Sequence, residues 1–395
     1  MTDPRPTASD DVPASTGGDA AANANIHPEM TARDSLAEIL REVRRVLVGS
    51  DRSIERIAAC VVAGGHVLIE GVPGLGKTVT ASSLADAIGG SFSRIQFTAD
   101  LLPSDVVGTR IWRPEEGVFT VERGPVFANV VLADEINRAP AKVQSAMLEV
   151  MAERQVTLGG ETFPVPRPFM VMATQNPLEQ EGVYQLPEAQ RDRFLMRILV
   201  GYPSLDEEHE ILYRMEGGEV PHARPVATPD LVAAAQREAG QIPVDEAVVD
   251  YILRLIATTR DPEVMGVPDL AGVIEAGASP RASIGILRAA RAITMLRGGT
   301  EVTPQEVYDV AYDVLNHRLQ LTFDALADGR TEDEVLDVIL RTVQAPRLGT
   351  GRCFGEATGK LAGKPWDAPE GDAVPSRPAV PVRSEPSITG PGRRR

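Results

Sequence analysis

Cysteine is nearly absent from this chain of 395 residues, which has only Cys60 and Cys353. Two thiols cannot build a disulfide framework, and such scarcity points to a reducing compartment. Cys60 sits in an apolar helical stretch and reads as a small core residue rather than a reactive thiol. Long apolar runs are missing as well. No stretch approaches the ~18 consecutive apolar residues that would cross a bilayer, and residues 1–10 carry neither the basic nor the apolar part of a secretory signal. Together these absences predict a cytoplasmic protein. The five histidines, His27, His66, His209, His222 and His317, show no metal-ligand spacing. Positive charge is in deficit, 40 Lys and Arg against 56 Asp and Glu, for a net charge of −16. The first 31 residues carry −4 and the last 47 carry +3, which leaves −15 on residues 32–348. A body this acidic repels a phosphate backbone, and no basic stripe offsets it, which weighs against a nucleic-acid partner.

Four segments follow from composition and pattern. Residues 1–31 are rich in Ala, Asp, Pro, Thr and Gly and too poor in large apolar side chains to offset ordering entropy, so they read as a disordered tail. Residues 349–395 read likewise: seven prolines fall after Lys360, and the chain closes on Arg393, Arg394 and Arg395. Within 32–202, short apolar runs at 67–69, 95–97, 130–132 and 169–173 alternate with helical patterns, the signature of βα units and a mainly parallel sheet. Within 203–348 helical signals take over. Capping boxes at Ser204/Glu207, Thr303/Glu306 and Thr331/Glu334 mark helix starts. The expected fold is an α/β domain followed by an all-helical one, with no internal repeat.

The residues that carry chemistry sit in the α/β part. Gly71-Val72-Pro73-Gly74-Leu75-Gly76-Lys77-Thr78 fits G-x-x-x-x-G-K-[ST] in full, between a strand and a helix that continues from Val79. The glycines let successive N–H groups turn inward on phosphate oxygens, and the helix N-terminus adds partial positive charge. Lys77 is expected on the β- and γ-phosphates and the Thr78 hydroxyl on Mg2+. The apolar run at 130–132 leads through Ala133 into Asp134-Glu135, which begins 56 residues after Thr78. A buried strand ending in two carboxylates puts them at the sheet edge where open α/β folds bind ligands. There Asp134 would hold Mg2+, commonly through water, and Glu135 would orient and deprotonate an attacking water. The run at 169–173 ends at Thr174-Gln175-Asn176-Pro177, which offers Asn176 as a polar sensor of the γ-phosphate or of that water.

These motifs, in this order, resemble the MoxR family of AAA+ ATPases over roughly residues 36–348. The carriers are the loop at 70–78, Ala133-Asp134-Glu135-Ile136-Asn137-Arg138-Ala139-Pro140, Ala173-Thr174-Gln175-Asn176-Pro177, Leu186-Pro187-Glu188-Ala189-Gln190 with Asp192-Arg193-Phe194, and Gly277-Ala278-Ser279-Pro280-Arg281. The resemblance implies a P-loop NTPase domain with a C-terminal helical lid, and a homo-oligomeric ring, usually a hexamer, with ATP between subunits. It makes 71–78 the Walker A loop, Asp134 and Glu135 Walker B, and Asn176 sensor 1. It matches Arg193 to an arginine finger reaching a neighbouring subunit's γ-phosphate, and Arg281 to sensor 2, swinging from the lid onto the same nucleotide. Arg191 stands where Leu is common and leaves two arginines close together. Val48-Gly49 looks like the family's adenine-contacting stretch. Arg138 reads equally as an interface contributor or as a surface residue at a helix start. Two hairpins, 109–112 with 118–122 and 155–158 with 161–165, the second turning on Gly159-Gly160, correspond to family insertions on the substrate-handling side of the ring.

The function implied is an ATP hydrolase that remodels, matures or inserts cofactors into client proteins, often beside a partner with a von Willebrand A domain. Other readings of the same residues are a metal-chelatase-type ATPase subunit, which would share most of the site, a nucleic-acid motor, and a binding module gated by nucleotide. A small-molecule kinase explains neither Arg193 nor Arg281.

Overall fold

The computed structural model describes residues 30–49, 51–177, 184–216 and 221–346. The C-terminal tail inferred from composition, Cys353 included, lies outside the described residues, as does the N-terminal one up to residue 29. Thr31 opens the described chain as an N-cap, its hydroxyl accepting from the Asp34 N–H at 3.1 Å. Helix α1 (Ala32–Val46) and helix α2 (Asp51–Val62) precede the first strand, β1 (Val67–Glu70). Then come α3 (Lys77–Ala87), β2 (Phe92–Gln96), α4 (Pro103–Val107), β3 (Gly108–Arg113), β4 (Val118–Arg123), β5 (Val130–Asp134), α5 (Ala141–Glu153), β6 (Gln155–Leu158), β7 (Glu161–Pro164), β8 (Met170–Gln175), α6 (Glu188–Arg191) and β9 (Met196–Leu199).

Five of these strands form one parallel sheet in the order β2-β5-β8-β1-β9. Its three inner strands, β5, β8 and β1, are apolar for most of their length because both faces are covered, whereas the edge strand β2 carries Ser93, Arg94 and Gln96. Val67 and Ile69 of β1 pack into one core with α1, α2 and α3, while Leu68 turns into the other core with Met147 and Leu148 of α5. The same alternation runs through β5, with Val130 and Leu132 on the first face and Val131 and Ala133 on the second. Because the strands are parallel, all five C-terminal ends, and the loops that follow them, share one edge. The central apolar runs agree with the sequence reading. The edge strand β9 was not anticipated, because Arg197 interrupts its apolar pattern.

Both expected hairpins are present, β3 with β4 and β6 with β7. Trp112 and Phe119 sit directly opposite each other, rings 4.8 Å apart, and the Arg110 guanidinium lies 4.9 Å from the Phe119 ring. Gly159 and Gly160 both take positive φ, 59° and 90°, as a two-residue hairpin turn requires.

Beyond β9 the chain is helical: α7 (Leu205–Glu216), α8 (Pro229–Gly240), α9 (Glu246–Arg260), α10 (Pro280–Leu296), α11 (Pro304–Leu315), α12 (Phe323–Ala327) and α13 (Glu332–Thr342). All three capping boxes form, with the carboxylates of Glu207, Glu306 and Glu334 accepting from the N–H groups of Ser204, Thr303 and Thr331. One short antiparallel ribbon, β10 (Ile274–Ala276) with β11 (Gln320–Leu321), joins the helices and is too brief to leave a pattern in sequence. Helix α10 is the axis of this part. It packs on α2, α9 and α11, and its buried face (Ile286, Ala289, Ala290, Ile293) belongs to the same apolar cluster as the first face of the sheet.

Candidate functional site

The first group of site residues gathers at the C-terminal edge of the sheet. β1 ends at Glu70, and the loop leaves it with the Gly71 N–H donating to the Gln175 carbonyl at 3.3 Å. Gly74 and Gly76 hold φ of +88° and +72°. A Cβ at either would meet nothing within 4 Å, so it is the left-handed backbone and not crowding that demands glycine. Lys77 opens α3 and its ammonium turns back to the Gly71 carbonyl, inside the curve of the loop. Burial lowers the pKa of this half-buried amine, against the opposing pull of Asp134, Glu135 and Glu70. Thr78 lies in the first turn of α3, partly buried, and Val79 beside it is exposed. Val72, Leu75 and Gly76 are partly buried, whereas Pro73 and Gly74 face solvent at the tip.

β5 delivers the carboxylates. Thr174 of the neighbouring strand β8 clamps both: its hydroxyl donates to Asp134 Oδ1 at 2.6 Å and accepts from the Glu135 N–H at 2.9 Å. Asp134 Oδ2 takes the Arg94 guanidinium at 2.6 Å. Glu135 sits at φ +57°, a left-handed backbone for a non-glycine residue, which is the kind of strain that concentrates at functional positions. Its Oε2 accepts from Gln96 at 2.8 Å and pairs with Arg138 at 3.1 Å. Asn176 follows β8 at the same edge, buried to 8% exposure. A hydroxyl and a carboxylate are hard oxygen donors, so Thr78 and Asp134 fit a magnesium ion that keeps most of its waters. Arg94, half-exposed, is free to give up its side of Asp134 to such an ion. Val48 and Gly49, partly buried, leave α1, which packs along α3. Gly49 has φ +72° and abuts Glu207 of α7, whose Oε1 would lie 2.3 Å from an added Cβ.

The second group lies at the opposite edge of the sheet. Arg193 precedes β9, and its guanidinium donates to the Leu148 carbonyl at 3.2 Å. Arg281, in the first turn of α10, lies 3.6 Å from Asp192. Asp192 in turn accepts from Arg318 at 2.7 Å and from the Ser279 hydroxyl at 2.9 Å, while Ser279 caps α10. Arg193, Arg281 and Asp192 line one cleft of about 320 Å³, together with Gly64, Gly65 and His66, which precede β1. Arg191 is not among its lining residues, and its buried Nε has no hydrogen-bond partner among the described residues. From His66 to Gly71 the chain runs the length of β1, about 16 Å at roughly 3.3 Å per residue. Arg193 and Arg281 therefore stand together, across the sheet from Lys77, Asp134 and Glu135 of their own subunit.

Residues 66–196 match the ATPase family associated with various cellular activities (AAA), and residues 271–339 match the AAA lid domain. Over 339 residues the chain is 51% identical to Chaperone MoxR1 of Mycobacterium tuberculosis, spanning 84% of this chain and 89% of that protein. The chain belongs to the MoxR family of AAA+ ATPases. Protein MoxR of Methylorubrum extorquens is 32% identical over 80% of this chain and 96% of its own. A crystal structure from Cytophaga hutchinsonii superposes with a TM-score of 0.76 at 42% identity, covering 80% of this chain and 96% of that one. Membership in this MoxR family implies nucleotide binding and ATP hydrolysis. Among the described residues no helix is long and apolar enough to cross a membrane.

Sequence reasoning missed Arg94, Gln96 and Thr174, the residues that hold this MoxR-family carboxylate pair. They are polar residues on β2 and β8, brought to the carboxylates only by the strand pairing that sets Gln96 opposite Asp134 and Ala173 opposite Ala133. The strand periodicity carried that signal weakly for Gln96, a polar residue at a strand end.

Proposed function

We propose that the chain is a ring-forming ATP hydrolase, hexameric in keeping with its family, that remodels or matures client proteins or inserts their cofactors. The observation that carries the reading is the separation of the two groups. Lys77, Thr78, Asp134, Glu135 and Asn176 sit at one sheet edge, while Arg193 and Arg281 sit at the other. No arginine of the second group reaches its own phosphate loop, so a complete site needs two subunits facing head to tail.

In that arrangement the N–H groups of 71–78 and Lys77 hold the β- and γ-phosphates of ATP, and Val48 and Gly49 border the adenine. Thr78 and Asp134 would hold a Mg2+ ion, which would supply positive charge against the phosphate oxygens. Glu135 leaves Gln96 and Arg138, orients a water and takes its proton. The water oxygen bonds to the γ-phosphorus as the bond to the β,γ-bridging oxygen breaks, giving ADP and phosphate. Asn176 orients the same water, and Arg193 and Arg281 of the adjacent subunit stabilise the charge that develops. The side chain of Arg193, not that of Arg191, faces the cleft, which favours it as the finger.

Two surface features support assembly and client contact. Helix α7 buries none of its residues and exposes Leu205, Leu212, Tyr213 and Met215, an apolar face of the kind that marks interaction sites. The first hairpin presents Trp112 and Phe119 to solvent, about half exposed. The name Chaperone MoxR1 carried by the relative favours a client-remodelling role, and the net −16 charge weighs against a nucleic-acid motor. A von Willebrand A-domain partner fits the family pattern, and a cytoplasmic location fits the composition.

The test is affinity capture from source lysate with Glu135→Gln in ATP, beside Lys77→Ala. Glu135→Gln binds ATP without hydrolysing it and should retain a client that Lys77→Ala does not. Enrichment of nucleic acid on Glu135→Gln, or identical captures by the two variants, would contradict the remodelling role.

A further inference from the structure

The cleft beside β9 holds more arginine than the two residues assigned above. Arg154, Arg193, Arg281, Arg288 and Arg318 line it against a single acid, Asp192. Two of the five are committed to the fold. Arg318 is buried and spends its guanidinium on Asp192 and on the carbonyls of Phe194 and Leu195. Arg154 leaves α5 at φ +54° and donates to the Gly64 carbonyl at 2.6 Å. Arg288 has no such commitment. It is exposed, and among the described residues no hydrogen bond or ion pair holds it.

Its position is set by α10. Arg288 follows Arg281 by seven residues, about two turns, so the two side chains leave the helix in nearly the same direction. Ile284 and Gly285, between them, line the same cleft. At Gly285 the helix closes on the wall: an added Cβ would lie 3.3 Å from a Val314 methyl and 3.4 Å from one of Leu195. Asp192 is engaged by Arg318 and Ser279 and adds a contact to Arg281, so it has nothing left for Arg288. The cleft is thus a concentration of uncompensated positive charge on a body of net −15. At about 320 Å³ it lies at the small end of the ~300–1,000 Å³ typical of small-molecule sites. The chemistry that recognises such a wall is a polyanion held by several guanidinium forks.

We infer that Arg288 is a third arginine lent to the adjacent subunit's nucleotide, where beside Arg193 and Arg281 it stabilises the charge that develops on the γ-phosphate as its bond to ADP breaks. The inference rests on the two-subunit site described above. It assigns to α10 a row of two phosphate ligands, Arg281 and Arg288, presented together by one rigid helix whose cap, Ser279, is tied to Asp192.

The experiment mixes full-length variants in equal amounts and reads ATP turnover at saturating ATP. Arg288→Ala alone should lose tenfold or more in turnover, keep the wild-type affinity for a fluorescent ATP analogue, and form rings of wild-type mass by light scattering. Arg288→Lys should recover part of the loss, since charge returns but the fork does not. Glu135→Gln is inactive at its own site yet carries an intact Arg288. In a ring with head-to-tail interfaces its mixture with Arg288→Ala should recover about a quarter of wild-type turnover, because one interface in four pairs an intact Glu135 with an intact Arg288. A parallel mixture of Arg193→Ala with Glu135→Gln separates the two ideas. Recovery there but not with Arg288→Ala overturns the inference and leaves the two-subunit site standing. Failure of both mixtures overturns the two-subunit site and the inference with it. Wild-type turnover by Arg288→Ala alone overturns the inference directly.

Discussion

Glu135 and Arg154 are the two non-glycine residues with left-handed backbone among those described, at φ +57° and +54°. Each such residue costs about 1–2 kcal/mol, and each stands in one half of the split site. Glu135 is held there by Thr174 on its N–H and by Gln96 and Arg138 on its carboxylate. Replacing it with Gln keeps these contacts possible but removes the proton acceptor. Glu135→Gln should therefore bind ATP as the wild type does and hydrolyse it roughly 10²–10⁴ times more slowly in single-turnover assays. His66 makes a different residue-scale prediction. Its Nδ1 accepts from the Val171 N–H at 3.0 Å, so Nε2 carries the proton and donates to the Met151 carbonyl at 3.1 Å. Burial, with a smaller push from Arg154, lowers its pKa from 6.5 to about 4, and His317 shifts in the same direction. The unfolded chain binds this proton below about pH 6.5 and the folded chain only near 4. The stabilisation is thus complete above pH 6.5 and is lost as pH falls toward 4, at a cost on the order of 3 kcal/mol for His66. Urea midpoints should fall between pH 7 and pH 5, and equal midpoints would contradict the neutral buried imidazole. At this scale the sequence showed Lys77, Thr78, Asp134 and Glu135 because loop chemistry fixes their spacing. Thr174, Gln96 and Arg94 were hidden because strand pairing, not local pattern, brings them to the carboxylates.

Elements decide where the second half of the site stands. Helix α10 carries Arg281, and the turn before it passes so close to α9 that a Cβ on Gly277 would lie 2.4 Å from the Thr259 carbonyl oxygen and 2.8 Å from the Arg260 Cα. That contact is backbone on both sides and has no rotamer with which to yield. Gly277→Ala should cost roughly 1–3 kcal/mol and, by displacing the start of α10, reduce ATP turnover while leaving nucleotide affinity unchanged. A thermal midpoint equal to wild type would show that the turn has room after all. The elements themselves were legible where their patterns were pure. β1, β5 and β8 are buried on both faces and read as unbroken apolar runs, and Gly159-Gly160 announced the second hairpin. β9 escaped because Arg197 pairs with Glu70 at 2.7 Å, which makes a charged residue tolerable inside the sheet. The ribbon of β10 and β11 escaped because two or three residues are too few to show a period.

Across the whole molecule, one ionic joint ties α2 to α11. Arg56 and Asp313, both nearly fully buried, meet at 2.9 Å, with Arg52 at 3.3 Å from the same carboxylate and Arg56 also on the Asp309 carbonyl. Removing one partner strands a buried charge, so Asp313→Ala should lower stability by about 3–5 kcal/mol, read as a shift of the urea midpoint. The alternation of short apolar runs with helical patterns, the helical signals that follow and the order of motifs made the α/β-then-helical architecture readable in the sequence. They did not show that Arg193 and Arg281 share a cleft with Arg288, since residues from α10 and from the start of β9 meet only through tertiary packing. The separation of the two groups across the sheet is the central feature of the account, and it has a direct consequence for catalysis. A site completed by a neighbour works only when subunits meet. The decisive measurement is ATP turnover per subunit against protein concentration, with molecular mass followed by light scattering in the same samples. Turnover per subunit should climb with concentration and track the assembled fraction. Full turnover by a protein of monomeric mass, unchanged on dilution, would contradict a site shared between subunits.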